Sequence, residues 1–215
     1  MIASEVTMET AAEGLPPVAE EVEHPADLSA ILEDRVNVCI WRRAAPKEAI
    51  GYAERVLAPR NLDRVVSCKD PGRGAAALLE GLEPRGQDPW VQDLCWLAQL
   101  YMDLTGASEL GLRLHASGSA MCPGFHVDRV GLRLVCTYHG AATEWLPEPA
   151  VDRQAIARRD VQNAWRGGPV RRLTPGVVGL LKGESWPGNE GRGAVHRSPT
   201  PAPGERRVLL TIDGW

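Results

Sequence analysis

The chain reads as a β-sandwich or jelly roll with helices over one outer face, mainly β within the α+β class. Three observations predict this. From about residue 111, five short stretches, "GLRLHAS", "GLRLVCTYH", "VVGLLKG", "GAVHRS" and "RRVLLTIDG", have strand character and are separated by Pro- and Gly-rich turns. Ahead of them, "GAAALLEGL" and "DPWVQDLCWLAQLYMDLTGA" look like helices, the second apolar enough to lie against a core. The 22 glycines and 17 prolines among 215 residues exceed the usual share and favour a turn-rich architecture. Short strands so connected form a sandwich or jelly roll, and this length suits one domain with a proper core.

Taken in order, residues 1–25 are expected to be a disordered acidic tail, because residues 1–34 hold nine of the 28 acidic side chains and no Lys or Arg. One domain, 26–215, follows, with a support region of helices and strands at 26–110 and a jelly-roll core at 111–215. "PADLSAILED" suits a short helix. "RVNVCIWRR" (35–43) alternates Val36, Val38 and Ile40 with polar neighbours, as a half-buried strand does. "PKEAIGYAERVLA" places Pro46 at a first helical position, and "LDRVVSC" suits another strand. Within the C-terminal half a helical insertion, "DRQAIARRDVQNAW", interrupts the strands.

Composition excludes several classes. The N-terminus lacks a basic segment followed by an apolar stretch, so no secretory signal is expected, and no apolar run approaches the roughly twenty residues of a membrane span. Beyond residue 34, 19 acidic side chains face 24 basic ones without a basic run, too weak an excess for nucleic-acid binding. Five scattered cysteines have no disulfide rhythm, and reduced thiols in a cytoplasmic protein are expected. "GNEGRG" leads into a strand rather than a helix, which excludes a dinucleotide-binding turn.

The chemistry concentrates in "CPGFHVDRVGLRLVCTYHG", residues 122–140. In an extended segment residues two apart share a side, so His126 and Asp128 can face one point and supply half of a mixed N/O metal site. His196, on a candidate strand 70 residues later, is the candidate third ligand. Two histidines and one carboxylate on one face of a metal leave the other positions open, as in non-haem iron(II) oxygenases. Arg206 shares a strand face with Val208, Leu210 and Ile212, an apolar row that reads as inward. An inward guanidinium with no evident protein partner calls for a bound acid, which its planar fork can hold at two points.

Other readings compete. A closed zinc clip can be drawn from Cys122, His126, Cys136 and His139, although strand alternation turns Cys136 and His139 to opposite sides. The three-ligand site also suits zinc or manganese in a hydrolase or a metal-binding protein without turnover. A third reading is a β-sandwich whose histidines are ordinary core or turn residues. His115 is read as structural.

The pattern of His126-x-Asp128, His196, Gly204 and Arg206 resembles the iron(II)- and 2-oxoglutarate-dependent dioxygenases, most closely the prolyl-hydroxylase-like branch, over roughly residues 111–215. The fuller pattern "FHVD…RLVCTYHGAATEWLPE…LLKGESWPGNEGRGAVHRSP…GERRVLLTID" also resembles a bacterial family known only as domain of unknown function 1826, through most of the chain after the tail. The oxygenase resemblance implies a double-stranded β-helix with iron(II) held by His126, Asp128 and His196. It implies 2-oxoglutarate with its far carboxylate on Arg206, and oxidation of a substrate C–H bond. Arg207 is the fallback anchor if the strand is shifted by one residue, since such a slip reverses its faces, and Tyr138 is a candidate second contact to that carboxylate. The candidate substrate contacts are Trp145 in "TEWLPE" and Trp186 and Asn189 in "KGESWPGNEGRG", with core packing or an ordinary loop as the competing role. The substrate is a small molecule or a peptide, and the oligomeric state is open.

Overall fold

The computed structural model describes residues 15–214. Ten strands form two sheets. The strands are β1 (Val18–Val22), β2 (Val36–Trp41), β3 (Leu62–Cys68), β4 (Leu110–Ser117), β5 (Leu132–His139), β6 (Glu144–Trp145), β7 (Arg171–Arg172), β8 (Val178–Lys182), β9 (His196–Arg197) and β10 (Arg207–Gly214). Seven make one mixed sheet in the order β1-β2-β8-β5-β10-β4-β3, and three make a small sheet in the order β7-β6-β9. The helices α1 (Lys47–Tyr52), α2 (Pro71–Leu79), α3 (Asp88–Thr105) and α4 (Arg153–Ala157) are few, and α1 runs on through a π-turn at Ala53–Leu57.

Val18–Val22 correct one expectation. They lie inside the stretch read as a disordered tail, yet pair in parallel with β2 as the edge of the large sheet. Residues 1–14 of that stretch lie outside the described residues. The acidic Glu20 and Glu21 fit this place because an edge strand tolerates and benefits from charge. Region 26–110 contributes β2 and β3 as well as α1–α3, with both strands at the stretches the sequence marked.

Side-chain alternation divides the large sheet into two buried faces. Leu112 and Leu114 of β4, Leu132 and Leu134 of β5 and Leu210 and Ile212 of β10 pack with Leu78 of α2 and Leu94 and Leu97 of α3 in the main core. On the opposite face Val38, Val135, Leu181 and Leu209 pack with Trp145 and Leu173 of the small-sheet region. A sheet covered on both sides leaves strands such as β2 and β8 buried along their whole length rather than alternating. Among the described residues no helix is long and apolar enough to cross a membrane.

The last strand sits centrally, antiparallel to both β4 and β5, with a register shift beside Val208. The loop between β4 and β5 carries His126 and Asp128, and it is tied to the end of β8. Glu184 N–H donates to Asp128 C=O at 2.8 Å, Gly183 N–H to Gly131 C=O at 2.9 Å, and Ser185 Oγ to Arg129 C=O at 2.8 Å. Gly183 is needed for this approach, because a Cβ there would meet Val130 O at 2.1 Å and Asp128 O at 2.7 Å. Gly183→Ala is therefore expected to lower stability by about 2 kcal/mol or more, through backbone displacement, and urea unfolding of the variant checks this.

Candidate metal centre

Local backbone pairing brings the two histidines together. His126 and His196 form an isolated antiparallel bridge, each N–H donating to the other's carbonyl at 3.0 Å. Such a pair places both side chains on one side of the ribbon, and the two rings lie 4.6 Å apart between centroids. Asp128 joins them. Its carboxylate lies 3.2 Å from His196 Nε2 and 3.6 Å from His126 Nε2. One donor atom from each of the three falls within 4.8 Å of the others.

Each histidine is also turned to present the same nitrogen. His126 Nδ1 lies 2.9 Å from Gly124 O, and His196 Nδ1 lies 3.0 Å from Ala194 O. A carbonyl only accepts, so Nδ1 carries a proton, and Nε2 is the nitrogen each ring turns towards Asp128 and could offer to a metal. Neighbouring ligands about 2.1 Å from one ion lie about 3 Å apart, so the donor set fits a divalent metal with little movement. It has two nitrogens and one oxygen on one side, the set suited to iron, zinc or manganese.

Asp128 is held from behind. Arg133 on β5 donates from Nη1 to Asp128 Oδ2 at 2.7 Å, while its Nε and Nη2 fork onto Asp213 of β10 at 2.7 and 2.6 Å. Burial opposes ionisation of Asp128, but the two imidazoles beside it and the Arg133 guanidinium hold its carboxyl far below the usual range. His126 shifts in the opposite sense: burial disfavours its charge, but the Asp128 carboxylate and the Gly124 carbonyl outweigh it and raise its pKa.

The ligands border two cavities. An inner one of about 160 Å³ lies between the sheets, with His126, His196, Thr143 and Ser198 on one side and Val135, Leu209 and Thr211 on the other. A larger one of about 750 Å³ meets His126 and Asp128 and reaches α4.

Arg206 does not reach the inner cavity. Its guanidinium is spent on backbone carbonyls at Ala58 and Arg60 and on Asn61 Oδ1, the latter two at 2.6 Å. The apolar row it was grouped with, Val208, Leu210 and Ile212, does point inward, but into the helix-covered core. Arg207 points the other way. It is 2% exposed, with Nη1 donating to Ser198 Oγ at 3.0 Å and Nη2 to Thr143 Oγ1 at 2.7 Å. Its Nε has no partner, and among the described residues no carboxylate pairs with it, so burial pushes its pKa down to about 10. His115 lies on this side as well, with both ring nitrogens buried and unpartnered. Asp63, at 3.8 Å, is too far to hydrogen-bond it.

Several other expectations are corrected. Tyr138 lies on the helix-covered face and donates to Asp93 at 2.5 Å; Arg43 forks onto the same carboxylate at 2.6 and 2.7 Å. The zinc clip does not assemble, because Cys136 is buried on that face, its thiol pushed up to about 11 by burial, while His139 lies 3.7 Å from Glu54. Trp145 packs in the inter-sheet core. Trp186 sits over Lys182 Nζ at 5.1 Å, and buried Asn189 donates to Gly183 O at 3.1 Å within its own loop. Sequence reasoning missed Arg133, Asp213, Thr143 and Ser198. For Arg133 and Asp213 a signal was present: they are charges at alternate positions of otherwise apolar strands.

Comparison with known proteins gives a family and a fold. A family model described as "Protein of unknown function (DUF1826)" matches residues 22–213. No curated protein matches the chain. Among solved structures, a rice dioxygenase for auxin oxidation is similar over 93% of this chain and 82% of its own, at 15% identity and a TM-score of 0.55. A 2-oxoglutarate binary complex of the Arabidopsis thaliana dioxygenase for auxin oxidation 1 is similar over 93% and 92%, at 9% identity and a TM-score of 0.53. A Pseudomonas putida prolyl-4-hydroxylase covers 89% and 98%, at 12% identity and a TM-score of 0.47. At such identities the likeness is one of fold.

Arg133→Met removes the guanidinium that aligns Asp128 while keeping an unbranched side chain. It is expected to weaken zinc or cobalt binding about 10–100-fold, read by isothermal calorimetry on the refolded, metal-free chain.

Proposed function

The chain belongs to the DUF1826 family, whose description names no reaction, and we propose that it is an iron(II)- and 2-oxoglutarate-dependent dioxygenase hydroxylating a small-molecule or peptide substrate. The observation that carries this reading is the meeting of His126, Asp128 and His196 beside a cavity whose Ser198 and Thr143 hold the buried Arg207 guanidinium, which no carboxylate among the described residues neutralises. In this reading the paired sheets are the two walls of a double-stranded β-helix, a distorted jelly roll, and the similarity in fold to the two auxin-oxidising dioxygenases supports it.

His126, Asp128 and His196 would hold the iron, and Arg207 takes the place first given to Arg206. Its Nε and fork would bind the far carboxylate of 2-oxoglutarate, with Ser198 and Thr143 orienting the guanidinium. When bound, iron and 2-oxoglutarate supply the oxidising power: dioxygen and 2-oxoglutarate become carbon dioxide and succinate as a substrate C–H becomes C–OH. The chain's own contribution is placement. The Nδ1–H bonds to Gly124 and Ala194 fix each imidazole, Arg133 keeps Asp128 ionised and aimed, and Val135 and Leu209 keep the inner cavity partly dry. A metal-binding protein without turnover would use the same three ligands, but it leaves Arg207 buried and unexplained.

Iron(II) and 2-oxoglutarate added without oxygen should give a visible charge-transfer band that His126→Ala abolishes. Admitting air should then yield succinate; its absence from the iron-loaded protein, with or without candidate substrates, would refute turnover. Losing a buried charge-assisted pair costs about 2–4 kcal/mol. Arg207→Met should therefore weaken 2-oxoglutarate binding about thirty-fold or more, without lowering the melting temperature of the ligand-free chain. Arg206→Met should leave that affinity unchanged, and calorimetric titration of both variants separates the two assignments.

A further inference from the structure

The larger cavity beside the metal ligands has a composition of its own. His126 and Asp128 border it, and Phe125, Val127, Ile156 and Val161 supply apolar wall. Val161 is 45% exposed. Three arginines also line it, and one is committed: Arg153 forks onto Glu148 at 2.8 and 2.5 Å and reaches the carbonyls of Arg192 and Gly193. Arg129 and Arg159 have no side-chain hydrogen bond or ion pair among the described residues. Of the two acids in the lining, Asp128 belongs to the metal ligands, and Glu184 accepts from Gly191 N–H at 3.1 Å.

Arg159 adds an independent observation. It is the one non-glycine residue with positive φ among the described residues, at 58°. It follows the C-cap of α4, where its N–H donates to Ile156 O and that of Asp160 to Ala155 O, both at 2.9 Å. That position ordinarily favours glycine or asparagine, because a Cβ is strained there. Backbone strain alone would favour a residue without a Cβ at this position, yet an arginine stands there and its side chain lines the cavity.

Resting on the dioxygenase reading, we propose that this cavity takes the substrate, and that the substrate is a small amphipathic carboxylic acid. Its apolar body lies along Phe125, Val127, Ile156 and Val161, its carboxylate reaches Arg129 and Arg159, and a C–H of the body faces the metal ligands. The two arginines are specificity-determining residues, separate from the Arg207 pocket.

The test titrates sodium octanoate, and octanamide as its neutral counterpart, into the zinc-loaded full-length chain, where no turnover occurs. Octanoate is expected to bind at least ten-fold more tightly than octanamide. The paired substitution Arg129→Gln with Arg159→Gln should erase that preference without lowering the melting temperature, and the paired change of both to Lys should keep it. Arg207→Met should leave it intact. Equal affinities, no binding of either probe, a preference that survives the glutamine pair, or one lost with Arg207→Met would each overturn the proposal. Succinate formation is measured separately on the iron-loaded protein. An acid preference without succinate sinks the dioxygenase reading alone, and succinate without an acid preference sinks only this assignment.

Discussion

The site depends on two backbone hydrogen bonds. His126 and His196 are 70 residues apart, and their reciprocal N–H···O=C pair is an isolated bridge rather than part of a long ladder. Because such a pair turns both side chains to one side, the backbone brings the imidazoles together before any metal contributes. The remaining constraints serve that bridge. β9 is pinned to β6 by Glu144, which faces Arg197 on one side and Arg172 on the other. The loop bearing Asp128 is tied to the end of β8 at a glycine that admits its carbonyls.

Buried charge is distributed unevenly, and the unevenness is informative. Arg43 and Tyr138 satisfy Asp93 on the helix-covered face, and Arg133 satisfies Asp213 and Asp128 on the other. Both networks meet the requirement that a buried ion have a partner. Among the described residues Arg207 finds only hydroxyl partners, and its Nε finds none. Conformational entropy and core packing give no reason to keep an unpaired guanidinium at 2% exposure, whereas an arriving anion does.

The large sheet separates structural from chemical duty by residue parity. Along β10, Val208, Leu210 and Ile212 face the helices, Leu209, Thr211 and Asp213 line the cavity, and Arg207 lies behind it against Ser198 and Thr143. Along β5, Leu132, Leu134, Cys136 and Tyr138 serve the core, while Arg133 and Val135 serve the site. Two interleaved patterns therefore run through each strand, one apolar and one mixed, so substitutions at neighbouring positions have unrelated consequences.

Local pattern alone determined β2 to β5, β8 to β10, the main helices and the candidate ligand pair His126 and Asp128, because alternation, helical spacing and the H-x-D pair are properties of a few consecutive residues. His196 was reachable as the histidine on a strand far enough downstream to return. Tertiary structure decided what depends on knowing which buried face is which. Inward was read as towards the ligand for Arg206 and Tyr138, but a sheet covered on both sides has two inward directions, and theirs leads to the helices. The same ambiguity hid Arg133 and Asp213, whose charges meet only when β5 and β10 lie side by side. Val18–Val22 became a strand although composition pointed to a tail, because the open edge of β2 offers hydrogen bonds that no sequence window contains.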